Sequence, residues 1–153
     1  MKKSFGIFVF ALIVGMVFVF PLAAQRSKSD FQKMYMDYLK KQGHAPSIDN
    51  DGDVQFTYRG DTYFIIVLHE DPQLFRVIGL LDLENTPRAK SIEAANYANS
   101  RTYVTTVYIT QDGKRAIFSA EIILPKPRDF QQVFTRVMTV IQDAEGSFLS
   151  QLK

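Results

Sequence analysis

The apolar residues of this 153-residue chain switch between a helical repeat and a strand repeat along its length, and those switches constrain its fold more than any other feature. Phe31, Met34, Tyr35, Tyr38 and Leu39 stand at i, i+3, i+4, i+7 and i+8, one apolar helical stripe. Ser29-Asp30-Phe31-Gln32 reads as a capping box at its start, and Gly43 suits its end. From Ala45 the spacing falls to two, with a short strand at Ser47-Ile48 and a turn at Asn50-Asp51-Gly52. Val54, Phe56 and Tyr58 then alternate with Gln55 and Thr57, so this strand buries one face. Arg59-Gly60-Asp61 makes the next turn. Thr62 to Leu68 is apolar on both faces and belongs inside a sheet. His69-Glu70-Asp71-Pro72 interrupts the pattern before Leu74 to Leu81, a strand in which Arg76 is the only charge.

Thr86-Pro87 has the chemistry of a helix start, and the Ala-rich stretch to Ser100 carries Ile92, Ala95 and Ala98 or Asn99 on one side. Tyr103 to Thr110 and Arg115 to Leu124 flank Asp112-Gly113, a dipeptide suited to a two-residue type I′ hairpin turn. Asp129 with Gln132 caps a last helix with apolar positions Phe130, Val133, Phe134, Val137, Ile141, Ala144, Phe148 and Leu152. Gly146 should loosen its final turns and leave Phe148 and Leu152 as its most exposed apolar residues. The fold class is therefore α+β, an antiparallel sheet with helices packed on one face, in the element order αβββ(β)αββα.

A tight turn at Asp112-Gly113 fixes which residues share a face. Ile109 then faces Ala116, Val107 faces Phe118, Thr105 faces Ala120 and Tyr103 faces Ile122 on the core side. Tyr108 with Ile117, Thr106 with Ser119 and Val104 with Glu121 lie on the other side, continued by Gln55, Thr57, Phe64 and Ile66 if the strands adjoin. Burying a large apolar side chain is worth about 1.5–3 kcal/mol. A face this rich in apolar groups is a candidate interface, with Thr57, Phe64, Ile66, Thr106, Tyr108, Ile117 and Ser119 as its residues.

Lys2 and Lys3 precede an uncharged run that is apolar from Phe5 to Phe20 and ends in Pro21-Leu22-Ala23-Ala24. That order predicts a signal peptide over residues 1–24, a short linker over 25–28 and one domain over 29–153, exported to the periplasm or the exterior. The rival reading is an uncleaved anchor in the inner membrane over residues 5–24, since about 20 apolar residues span a bilayer. With no Cys the chain cannot be a lipoprotein, and thiol chemistry and disulfides are excluded. The formal charge of +2 is carried entirely by Lys2 and Lys3, so the remainder is neutral and lacks the basic footprint of a nucleic-acid binder. Any membrane contact would come only through the leader.

No pattern of catalytic residues stands out. Asp49-Asn50-Asp51-Gly52-Asp53 resembles a calcium loop, but aligning its glycine puts Ser47 at the first ligand and Tyr58 at the bidentate Glu, so turn chemistry fits better. Arg59-Gly60-Asp61 spells an adhesion tripeptide and sits where a hairpin needs a turn. His44 and His69 lack the spacing of a zinc site, Ser119 has no sequence-adjacent base, and no Gly-rich phosphate loop follows a strand. The expectation is no catalytic residue, no metal and no cofactor.

Three segments carry a resemblance: Ile48-Asp49-Asn50-Asp51-Gly52-Asp53-Val54-Gln55-Phe56, Arg59-Gly60-Asp61-Thr62-Tyr63, and His69-Glu70-Asp71-Pro72-Gln73-Leu74-Phe75-Arg76. With Ala94-Ala95-Asn96, Asn99, Leu124-Pro125 and Asp129-Phe130, they resemble the bacterial YbjN-like family of sensory transduction regulators. The resemblance implies a fold like that of type III secretion chaperones and a non-enzymatic domain that binds a protein partner or forms a homodimer. It contributes no catalytic residue. The alternative expectation is a small apolar or envelope-derived ligand held between helices and sheet.

Overall fold

The computed structural model describes residues 27–71 and 73–153; the leader and the first two linker residues lie outside the described part. Helix α1 spans Lys28–Lys41, and its cap is Ser27 rather than Ser29. The Ser27 hydroxyl accepts from the Asp30 N–H, and the Asp30 carboxylate accepts from the Ser27 N–H at 2.9 Å. The reciprocal pair starts the helix one turn-fraction early, so Ser27 and Lys28 belong to it and not to a linker. At the other end Gly43 takes a φ of +84°, and the His44 N–H reaches back to the Leu39 carbonyl at 3.0 Å.

Six strands follow in one antiparallel sheet: β1 (Ser47–Ile48), β2 (Val54–Tyr58), β3 (Asp61–Ile66), β4 (Leu74–Asp82), β5 (Thr105–Ile109) and β6 (Arg115–Ile123). Their spatial order is β1-β2-β3-β4-β6-β5, so the last hairpin returns with β6, not β5, against β4. Helix α2 (Arg88–Arg101) joins β4 to β5, and helix α3 (Phe130–Ser150) follows a 3₁₀ turn at Pro127–Asp129. Neither helix starts as its sequence suggests. Pro87, not Thr86, is the residue before α2, and Asp129 accepts from the Lys126 N–H at 3.1 Å, capping the 3₁₀ turn.

Strand alternation sorts the sheet into two faces. On one, Val54, Ile65, Val77 and Ala120 form one cross-strand row, and Phe56, Tyr63, Gly79, Phe118 and Val107 form the next. Phe31, Tyr35 and Leu39 of α1, Ala94, Ala95 and Ala98 of α2, and the α3 stripe from Phe130 to Phe148 join these in one core. The rings of Tyr35, Phe75 and Phe130 meet at 4.8–5.9 Å, and Phe118 meets Phe148 edge-on at 5.4 Å. Phe148 is fully buried, so Gly146 does not loosen the helix end as expected. Ile92 is only half-buried; Ser91 takes its place on the packed side of α2.

The hairpin register is the one anticipated from Thr105 to Ile109, but its turn is different. Gly113 alone has positive φ (+74°) and its N–H donates to the Thr110 carbonyl at 2.9 Å, which makes a bonded turn over Thr110–Gly113. The type I′ geometry occurs instead at Arg59-Gly60, with φ values of +53° and +101°. The register also stops early. Val104 sits at φ +64°, an uncommon conformation for a β-branched residue, and Tyr103 is 85% exposed rather than opposite Ile122 in the core.

One acid lies between α3 and the sheet. Tyr63 donates to Glu145 Oε2 at 2.8 Å, and burial pushes the Glu145 carboxyl up to about 7, with the nearby Asp61 adding to the rise and the Tyr63 bond opposing it. The Tyr63 hydroxyl is raised as well, first by its own burial. A carboxyl whose folded pKa exceeds its unfolded one favours the native state most when protonated, so this contribution is present at acid pH and fades as pH climbs from about 4.5 through 7. Glu145→Gln should flatten that dependence and gain about 1–2 kcal/mol at pH 8, allowing for solvent screening. Urea unfolding at pH 5 and pH 8 checks it; equal pH dependence in both proteins contradicts it.

Candidate functional site

Among the described residues, the sheet members of the core cluster all come from the first face, and the second face is half-buried to exposed apart from Ser119. Register places its side chains in rows: Gln55, Phe64, Ile78, Ser119 and Thr106 in one, and Leu80, Ile117 and Tyr108 in the next. Ile66, Arg76 and Glu121 form a third, and Leu74 stands beside Ile123 in a fourth. All seven residues singled out from the sequence lie on this face. Thr57, Thr106 and Tyr108 are exposed, Phe64, Ile66 and Ile117 are half-buried, and Ser119 is buried.

The strands do not adjoin as simply as expected, because β4 lies between β3 and β6. Its outward residues Ile78 and Leu80 fill the centre of the face, and Ile123, 78% exposed, extends it. Sequence reasoning missed these three. The signal was available in β4, a long strand apolar on both sides, but its neighbour was not.

The polar groups on this face answer one another. Arg76 Nε donates to Ser119 Oγ at 3.2 Å and lies 3.1 Å from Glu121 Oε1, and Ser119 Oγ is 3.2 Å from the same carboxylate. Ser119 therefore meets an arginine and a glutamate, with no histidine beside it. His44 packs its ring against Phe56, Tyr58 and Phe134. Among the described residues no three His, Asp or Glu side chains are grouped to hold a metal ion.

A family model for YbjN, "Putative bacterial sensory transduction regulator", matches residues 36–148. The chain belongs to the YbjN family. Three solved structures share its fold. YbjN from E. coli is 6% identical, with a TM-score of 0.59 over 77% of this chain and 88% of that one. A chain of the HopA1–SchA chaperone–effector complex is 12% identical, with a TM-score of 0.53 over 80% and 98%. An uncharacterised protein from Methanothermobacter thermautotrophicus is 9% identical, with a TM-score of 0.55 over 80% and 99%. No curated protein is matched significantly.

The segments on which the resemblance rests hold turns together in this structure. Asp49 Oδ1 accepts from the N–H groups of Asp51 and Asp53, and Asp53 Oδ1 accepts from Val67 N–H at 2.8 Å, tying the β1–β2 turn to the end of β3. Lys28 and Gln32 of α1 donate to the carbonyls of Asp51 and Gly52. Asn99 of α2 brackets Val107, donating to its carbonyl at 2.9 Å and accepting from its N–H at 2.7 Å. In this chain these segments thus act as backbone clamps that shape the sheet.

Proposed function

We propose that this YbjN domain is a non-enzymatic protein-interaction module that works outside the cytoplasm and contacts its partner through the open sheet face. The observation that carries this reading is the set of apolar side chains, Phe64, Ile78, Leu80, Ile117, Tyr108 and Ile123, spread over several rows of a face whose residues, among those described, stay outside the core cluster. Contiguous apolar surface of this kind marks association sites. The alternative of a ligand chamber between helices and sheet finds no support, since aromatic rings occupy that gap. The fold neighbour from a chaperone–effector complex adds support for protein binding. Export rests on the leader sequence alone.

Photocrosslinking in intact cells tests the reading. A benzophenone amino acid replacing Thr106, on the open face, should give covalent protein adducts recovered outside the cytoplasm. The same group replacing Arg136, exposed on α3, should give few. Adducts at Arg136 but not at Thr106 would show that the helical side is the contact surface.

A further inference from the structure

We propose that the end of the sheet beside the leader rests on the membrane that the leader enters, with Tyr103, Val104 and Ile123 inserted at its surface. This goes beyond the partner contact of the open face and takes the leader as a retained anchor. Tyr103 and Ile123 are the two most exposed large hydrophobic residues among those described, at 85% and 78%, and Val104 is 57% exposed. They stand together because β5 begins where its antiparallel neighbour β6 ends. Val104 holds a left-handed backbone at φ +64°, which a β-branched side chain seldom tolerates, and pairing with β6 begins only after it, at Thr105. Backbone strain of this kind collects at working surfaces.

Topology puts this patch on the leader's side. Antiparallel register sets the β1–β2 turn, the ends of β3 and β6 and the starts of β4 and β5 at one end of the sheet. Helix α1 starts at that end too, since Lys28 and Gln32 donate to the Asp51 and Gly52 carbonyls of the β1–β2 turn. Only Gln25 and Arg26 lie between Ala24 and the Ser27 cap, so a retained leader holds this end within about 10 Å of the bilayer. Lys2 and Lys3 then mark the cytoplasmic side and leave the domain outside. Sequence alone confines membrane contact to the leader; the fold adds this end of the sheet. Arg101 comes shortly before Tyr103, and Lys126 and Arg128 shortly after Ile123, all three exposed. A tyrosine with aliphatic neighbours and flanking cations is the composition that settles at a membrane–water boundary. The exposed acids Asp51, Glu70 and Asp71 also lie at this end, so apolar insertion, more than charge, carries the contact. An apolar surface held this close to a bilayer meets lipid before it meets any protein.

The sequence lacks tryptophan, so a single introduced indole reports its own surroundings. The full chain, leader included, is placed as the Tyr103→Trp variant in vesicles of phosphatidylethanolamine and phosphatidylglycerol, with or without brominated acyl chains. Bromine should quench the indole about twofold, as expected for a side chain sunk at the headgroup boundary. Ile123→Trp, at the neighbouring strand end, should respond likewise. Gln111→Trp, exposed in the β5–β6 turn at the far end of the sheet, should not. Adding Val104→Asp to Tyr103→Trp should abolish the quenching, and aspartate accepts the left-handed backbone better than valine, so the fold is spared. Unquenched Tyr103→Trp and Ile123→Trp, equal quenching of Gln111→Trp, or quenching that survives Val104→Asp overturns the inference. So does a Tyr103→Trp indole shielded from aqueous iodide yet untouched by bromine, which assigns the patch to contact between protein chains. Recovery from cells of leaderless chains alone overturns it as well. None of these results bears on crosslinking from Thr106, which tests the open face separately.

Discussion

Phe130→Ala should lower the unfolding free energy by about 3–5 kcal/mol, a large share of the total of a domain this size. Phe130 is fully buried where α3 begins, and its ring lies edge-on to Tyr35 at 4.8 Å and Tyr38 at 4.9 Å and tilted against Phe75 at 5.4 Å. Its ring, at the start of α3, touches rings of both α1 and β4. Removing it leaves a cavity walled by aromatic rings, which collapse poorly because each is held by its own neighbours. The loss should appear as a lower denaturant midpoint at unchanged slope. A loss below about 1 kcal/mol would mean that the helix layer repacks freely, contrary to the close aromatic packing described.

Gly79→Val should cost about 3 kcal/mol, at the upper end of overpacking. Gly79 lies between Tyr63 and Phe118 in the core-side row, and a Cβ there would stand 2.6 Å from Glu145 Oε1 and 2.9 Å from the Tyr63 ring. The carboxyl can swing away, but the buried ring cannot. Glu145→Ala in the Gly79→Val background should therefore recover only part of the loss, and a double-mutant cycle measures how much. Full recovery would assign the whole clash to Glu145. No recovery would show that the carboxyl does not occupy the space over Gly79.

Much of this architecture could be read from local pattern because the pattern is local. Alternation in Val54 to Tyr58 and the position of Gly113 give the two-faced sheet and the β5–β6 register without knowledge of the rest. Details that depend on one hydrogen bond were harder. Ser27 and Ser29 both precede Asp30, and only the carboxylate returning to the Ser27 N–H selects the first. Asp112-Gly113 carries the dipeptide of a type I′ turn, yet Thr110 Oγ1 bonds Asp112 Oδ1 at 2.6 Å and steers the loop into another form. The centre of the candidate face was hidden for a different reason. That β4 lies against β6 is decided by the whole sheet, so no short stretch reveals that Ile78 and Leu80 neighbour Ser119 and Ile117. Glu145 was legible in principle, as a lone acid four residues after Ile141 and three before Phe148 on the buried stripe.

The clamp that Asn99 places on Val107 reaches beyond local geometry. It occupies outward-facing backbone groups of the border strand, the hydrogen-bonding template on which foreign strands would otherwise nucleate. The opposite border is a two-residue strand preceded by Pro46, which has no N–H to offer. With both flanks blunted, lateral strand-by-strand growth into a fibre is disfavoured.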